Sequence, residues 1–134
     1  MIRRFWPAMA WAILILILTG VPGNYFPQVE SFWEWLSPDK VVHVGIFGVQ
    51  AYLILYGLEP QYLNKRQRYL FLIAAISITI LYGLITEVLQ SFVFVGRDGN
   101  VFDFLADLLG AFMGLLAYYL LNIRNSVMNF NKKQ

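Results

Sequence analysis

The chain has 134 residues, of which 59% are hydrophobic and only 13% charged. Soluble domains are about a quarter charged, so there is too little polar surface here to coat a water-soluble core. The formal charge is +2, the basic residues are scattered through short loops and the tail, and cysteine is absent. Nothing points to nucleic acid, and a disulfide framework, an iron–sulfur centre and cysteine-ligated zinc are excluded.

The length fits one domain, 1–134. A helix that crosses a bilayer needs ~20 mostly apolar residues, and four stretches qualify. The first, at about 5–21, follows Arg3 and Arg4. It is not read as a signal peptide, because VPGNYFP offers no small-x-small cleavage site and three more spans follow. The loop after it carries PQVESFWEWLSPDK, where Phe32, Trp33, Trp35 and Leu36 lie beside Glu30 and Glu34. That pattern predicts a short helix in the membrane interface, where a ring with an apolar body and a polar N–H is favoured. The second span, at about 41–58, is introduced by Ser37 and Pro38 as N-cap and first residue, which places Asp39 where its charge suits the helix dipole. The third runs from about 69 to 94 and the fourth from about 101 to 121. The tail NIRNSVMNFNKKQ is polar.

With four spans both termini share a side with the loop at 59–68. That side holds Arg3, Arg4, Lys65, Arg66, Arg68, Arg124, Lys132 and Lys133, leaving only Lys40 and Arg97 of the ten basic residues opposite. Basic loops stay cytoplasmic, so both termini are expected there. The acidic residues do the reverse: all but Glu59 of the eight lie at or toward the outer side. The expected fold is an all-α membrane protein with four transmembrane helices and an interfacial helix in the first outer loop.

Helical spacing gathers the polar residues into one layer. Asp39, His43 and Phe47 share a face of the second helix; Gly83, Glu87 and Gln90 share a face of the third; Asp103, Asp107, Gly110 and Gly114 share a face of the fourth. At ~1.5 Å per residue, His43 lies roughly 6 Å below the outer end of the second helix, Asp107 roughly 6 Å below Asp103, and Glu87 roughly 10 Å below the outer end of the third. An ionised carboxylate facing lipid costs ~2.5–3.5 kcal/mol near the helix centre, so these groups should turn into the bundle. Gly110 and Gly114 would let another helix approach closely. Asp39, Asp103, Arg97 and Asp98 can also be explained by helix ends and a GRDGN turn, and Lys40 by snorkelling. Glu87 and Asp107 are too deep for such explanations.

These residues resemble known motifs. DKVVHVGIF, with its Asp-Lys-x-x-His-x-x-x-Phe spacing, resembles the first motif of the VanZ-like membrane protein family. TEVLQSFVFVGRDGNVFDFLADLLGAFMG resembles the second, a Glu-x-x-Gln helix end followed by a Gly-Arg turn and a Gly-x-x-x-Gly helix. The resemblance puts Asp39, Lys40, His43, Glu87, Gln90, Arg97 and Asp103 on the family's recurrent positions. The pattern has Asn where this sequence has Asp107. The founding member is associated with resistance to the glycopeptide teicoplanin, which implies a bacterial cytoplasmic membrane and a link to the cell envelope.

One functional expectation is a site open to the outer leaflet. His43, Glu87 and Asp107 would be its acid–base candidates, and Asp39, Lys40, Gln90, Arg97 and Asp103 would bind an anionic, lipid-linked ligand. Its nucleophile would be water or a substrate group, since no serine elbow or cysteine is present. The competing expectation is structural: the layer only locks helix packing, within a homo-oligomer or a larger membrane complex. A proton path ranks lower, because the cytoplasmic half offers little beyond Thr79 and Thr86. No cofactor is expected, and a metal is only a minor alternative: His43, Glu87, Asp103 and Asp107 offer donors, but no short ligand pair such as HExxH is present.

Overall fold

A computed structural model of the protein describes residues 2–21, 38–62, 68–94 and 101–123. Among them all regular structure is helical: a 3-10 turn at Ile2–Arg4, then α1 (Trp6–Thr19), α2 (Pro38–Tyr62), α3 (Arg68–Phe92) and α4 (Val101–Tyr118), which continues as a π-helical turn at Tyr119–Ile123. The stretch expected to form an interfacial helix lies outside the described residues.

Three segments are long and apolar enough to cross a membrane: Asp39–Leu58, Tyr69–Phe92 and Val101–Asn122. The first helix is shorter than the sequence suggests. It has 14 residues, or ~21 Å of rise against a hydrocarbon core of ~30 Å. Pro7 sits in its first turn, and it closes at Gly20, whose N–H returns to the Leu16 carbonyl, while the Val21 N–H returns to that of Leu18. By contrast α2 outruns its apolar stretch at both ends. It begins at Pro38, where a missing N–H costs nothing, and carries on through Glu59 and Pro60 to Tyr62.

The helices alternate in direction, and α2 and α4 share the longest seam. Glycines make that seam close. A Cβ on Gly110 would collide with the Val44 carbonyl, and one on Gly114 with the carbonyl of Gly48. Helix association in lipid relies on such packing, because burying apolar surface gains nothing against lipid tails. α3 packs on both α2 and α4; α1 lies mainly against α2.

α1 is tied in by side chains that donate to backbone carbonyls of neighbouring helices. Trp11 Nε1 donates to Ile46 O at 2.9 Å, and Tyr82 Oη donates to Ala12 O at 2.5 Å. At the far end Arg4 lies over the Tyr56 ring at 5.5 Å, and Asn122 Nδ2 donates to Tyr52 Oη at 3.1 Å. The apolar interior forms two clusters. Ala8, Ile54, Leu55, Ala75 and Tyr118 fill one, and Ile15, Ile46 and Phe47 fill the other.

The distribution of polarity is inverted relative to a soluble fold. Thr19, His43, Gln50, Thr79, Thr86, Glu87, Gln90, Asp103 and Asp107 are buried, while many large apolar side chains, Phe92 and Val101 among them, face outward. Such a surface suits lipid, in which polar groups must find partners within the protein.

Candidate functional site

Asp39 and Lys40 stand in the first turn of α2, and Asp103 in the first turn of α4. Lys40 Nζ lies 3.8 Å from Asp103 Oδ1, an ion pair between two helix starts. One turn deeper, His43 is 1% exposed and points across the bundle. Its Nδ1 is 2.8 Å from Asp107 Oδ1, a hydrogen bond joining α2 to α4, and 3.9 Å from Glu87 Oε1 on α3. Three helices thus deliver one titratable side chain each to a single point. Donor atoms of Asp39, His43 and Asp103 also lie within 4.8 Å of one another, so His43 stands between two pairs of carboxylates.

Phe47 closes the layer from below. It is fully buried, stacks on His43 with centroids 6.2 Å apart, and meets Tyr82 at 6.1 Å. On the α3 side the wall is Gly83, where an added Cβ would lie 2.9 Å from Asp107 Oδ2. The glycine, one turn from Glu87, lets the carboxylate press against the α3 backbone. Asp107 Oδ2 has no hydrogen-bond partner among the described residues. The nearby Thr86 hydroxyl does not serve it, because it donates to the Gly83 carbonyl at 2.7 Å.

Of the eight candidates read from the sequence, His43, Glu87 and Asp107 converge, with Asp39, Lys40 and Asp103 just above them. Gln90 turns elsewhere: its Nε2 donates to the Thr19 carbonyl at 3.2 Å, tying α3 to the end of α1. Arg97 lies outside the described residues. The sequence reading passed over Gln50, which is buried two turns below His43 on the same face of α2, with Oε1 lacking a hydrogen-bond partner among the described residues. A polar side chain inside an apolar span of 20 residues was the available signal.

Chemically, the pair resembles an oriented base. With Asp107 ionised, the proton of neutral His43 sits on Nδ1, and Nε2 becomes the nitrogen that can take a proton. The VanZ/LLP1 family model matches residues 8–122. The chain belongs to the VanZ/LLP1 family. The matched region runs from α1 through the π-helical turn and includes every candidate site residue of this VanZ family protein. No curated protein and no solved structure gives a significant match.

Proposed function

We propose that this VanZ family protein crosses a bacterial cytoplasmic membrane four times, with both termini cytoplasmic, and that its polar layer receives the anionic head of a lipid-linked envelope molecule from the outer leaflet. One observation carries this reading. A groove of ≈ 360 Å³ runs between α2 and α4, with Lys40 at its polar end and Val41, Val44, Phe102, Leu105, Ala106 and Leu109 along its walls. A second groove of ≈ 310 Å³ shares Val44 and continues past Gly48 and Val49 to Met113 and Ala117. Together they follow the α2–α4 seam away from the polar layer. That shape suits an amphiphile whose hydrocarbon lies along the seam and whose head reaches Lys40 and the space above His43.

Within this reading Lys40 and Arg97 supply the positive charge for the head group, and His43, oriented by Asp107, supplies a base toward a water or hydroxyl on it. Arg3 and Arg4 support the orientation, since Arg4 packs on Tyr56, far along α2 from Lys40. The short α1 reaches the interface through the turns on either side of it. The envelope setting is what family membership suggests.

The test is the lipid retained by the protein. Mass spectrometry of purified protein is expected to find an anionic lipid. Leu105→Trp, which fills the groove, and Lys40→Ala, which removes its charge, are each expected to lower the retained amount several-fold. An unchanged lipid complement in both variants would falsify the proposal.

A further inference from the structure

The convergence of His43, Glu87 and Asp107 has the makings of a metal site that no local sequence motif announces. The residues come from α2, α3 and α4, and are 1%, 7% and 1% exposed. One donor atom from each lies within 4.8 Å of the other two. His43 Nδ1 is 2.8 Å from Asp107 Oδ1 and 3.9 Å from Glu87 Oε1. Donors held at ~2.0–2.2 Å from one ion, at tetrahedral or octahedral angles, stand roughly 3–3.6 Å apart. Side-chain movements of about 1 Å would bring these three onto such a sphere.

An independent observation asks for a ligand at the same place. Asp107 Oδ2 is buried, faces the Gly83 turn of α3, and has no hydrogen-bond partner among the described residues. A carboxylate oxygen can only accept, and the Thr86 hydroxyl is committed to the Gly83 carbonyl. Buried acceptors of this kind are ordinarily met by a proton, a water or an ion. Charge is compatible with an ion: Asp39, Glu87, Asp103 and Asp107 cluster around His43, and they outnumber Lys40 and the Arg97 that the lipid reading brings to this layer.

The geometry points to a divalent cation held by His43 Nδ1, Glu87 and Asp107. Binding takes the neutral imidazole in its other tautomer: the proton sits on Nε2, Nδ1 gives its lone pair to the ion, and Asp107 Oδ2 gains a partner. One imidazole with two carboxylates is a mixed nitrogen–oxygen set, which suits Zn²⁺ or Mn²⁺ better than Mg²⁺ or Ca²⁺.

This inference stands apart from the lipid reading: with an ion on Nδ1 the His43 proton sits on Nε2 and His43 is no longer the base, and the test uses the metal alone. The full chain, purified in detergent and stripped with a chelator, is titrated with Zn²⁺ and separately with Mn²⁺ by calorimetry. One ion per chain is expected. Glu87→Gln and Asp107→Asn keep side-chain shape, and each is expected to weaken binding at least tenfold and to abolish the rise in melting midpoint that the ion gives the wild type. The idea fails if neither ion binds, or if either folded variant binds as tightly as the wild type. Should one variant not fold, the other decides.

Discussion

Asp107 gives one carboxylate oxygen to His43 and keeps the other against bare backbone at Gly83. Its two roles can be separated by substitution. In Asp107→Ala the buried Nδ1–H of His43 loses its acceptor, which costs ~1–3 kcal/mol for an unsatisfied donor. Asp107→Asn keeps an oxygen for that bond and removes the negative charge. In metal-free protein, Asp107→Ala is therefore expected to melt several degrees below wild type, and Asp107→Asn close to it. Thermal unfolding in detergent checks both, and equal losses would mean that the hydrogen bond is not what matters. The position of Asp107 was legible in the sequence, because a carboxylate one turn inside an apolar helix cannot be explained by the helix end. Its partner was not legible. Spacing put His43, Glu87 and Asp107 at one height but could not say which carboxylate lies at 2.8 Å and which at 3.9 Å. That choice is set by how the helices rotate against one another. Gln90 shows the same limit: it shares the face of Glu87 in projection, yet from one turn further along α3 its amide meets the Thr19 carbonyl instead.

Between elements, the α2–α4 seam is set by backbone touching backbone. A Cβ at Gly114 runs into the Gly48 carbonyl, with the Ala51 Cβ also 3.1 Å away, whereas a Cβ at Gly45, one turn along α2, meets nothing within 4 Å. Alanine at the two positions should therefore act in opposite directions. Gly114→Ala forces the helices apart, at a cost of ~1–3 kcal/mol of the kind seen for overpacking. Gly45→Ala gains ~0.5–1 kcal/mol of helix propensity. Paired melting curves of the two variants check the seam, and a neutral Gly114→Ala would contradict the close approach. The sequence reading identified Gly110 and Gly114 as the face that permits such contact, because small residues spaced by four line one stripe of a helix. It could not name Gly48 as the partner, since nothing local marks which helix will approach. Long apolar runs made the three longer helices legible for the same local reason, while their ends were less so. The reading stopped α2 at Leu58, where the apolar run ends, but the helix continues one further turn through Pro60 to Tyr62.

At the scale of the whole molecule, the apolar outside and polar inside suit lipid but do not by themselves orient the bundle. Orientation rests on the basic residues: Arg4 lies over Tyr56 at one end, and Lys40 pairs with Asp103 at the other. Because the chain has no cysteine, single cysteines can report each loop without background. A cysteine replacing Asn64 or Gln134 is expected to react with a membrane-impermeant maleimide only after the cells are opened. One replacing Gln28 or Asn100 is expected to react in intact cells. Position 2 bears on α1 in particular. With only 14 residues in the helix, a re-entrant α1 would leave the N-terminus outside, so a cysteine at Ile2 labelled in intact cells would reduce the spans to three. Labelling of Gln28 and Asn100 from outside, with Ile2, Asn64 and Gln134 protected, would put the His43–Glu87–Asp107 cluster about one turn inside the outer surface. That is the depth at which a head group in the outer leaflet could reach it.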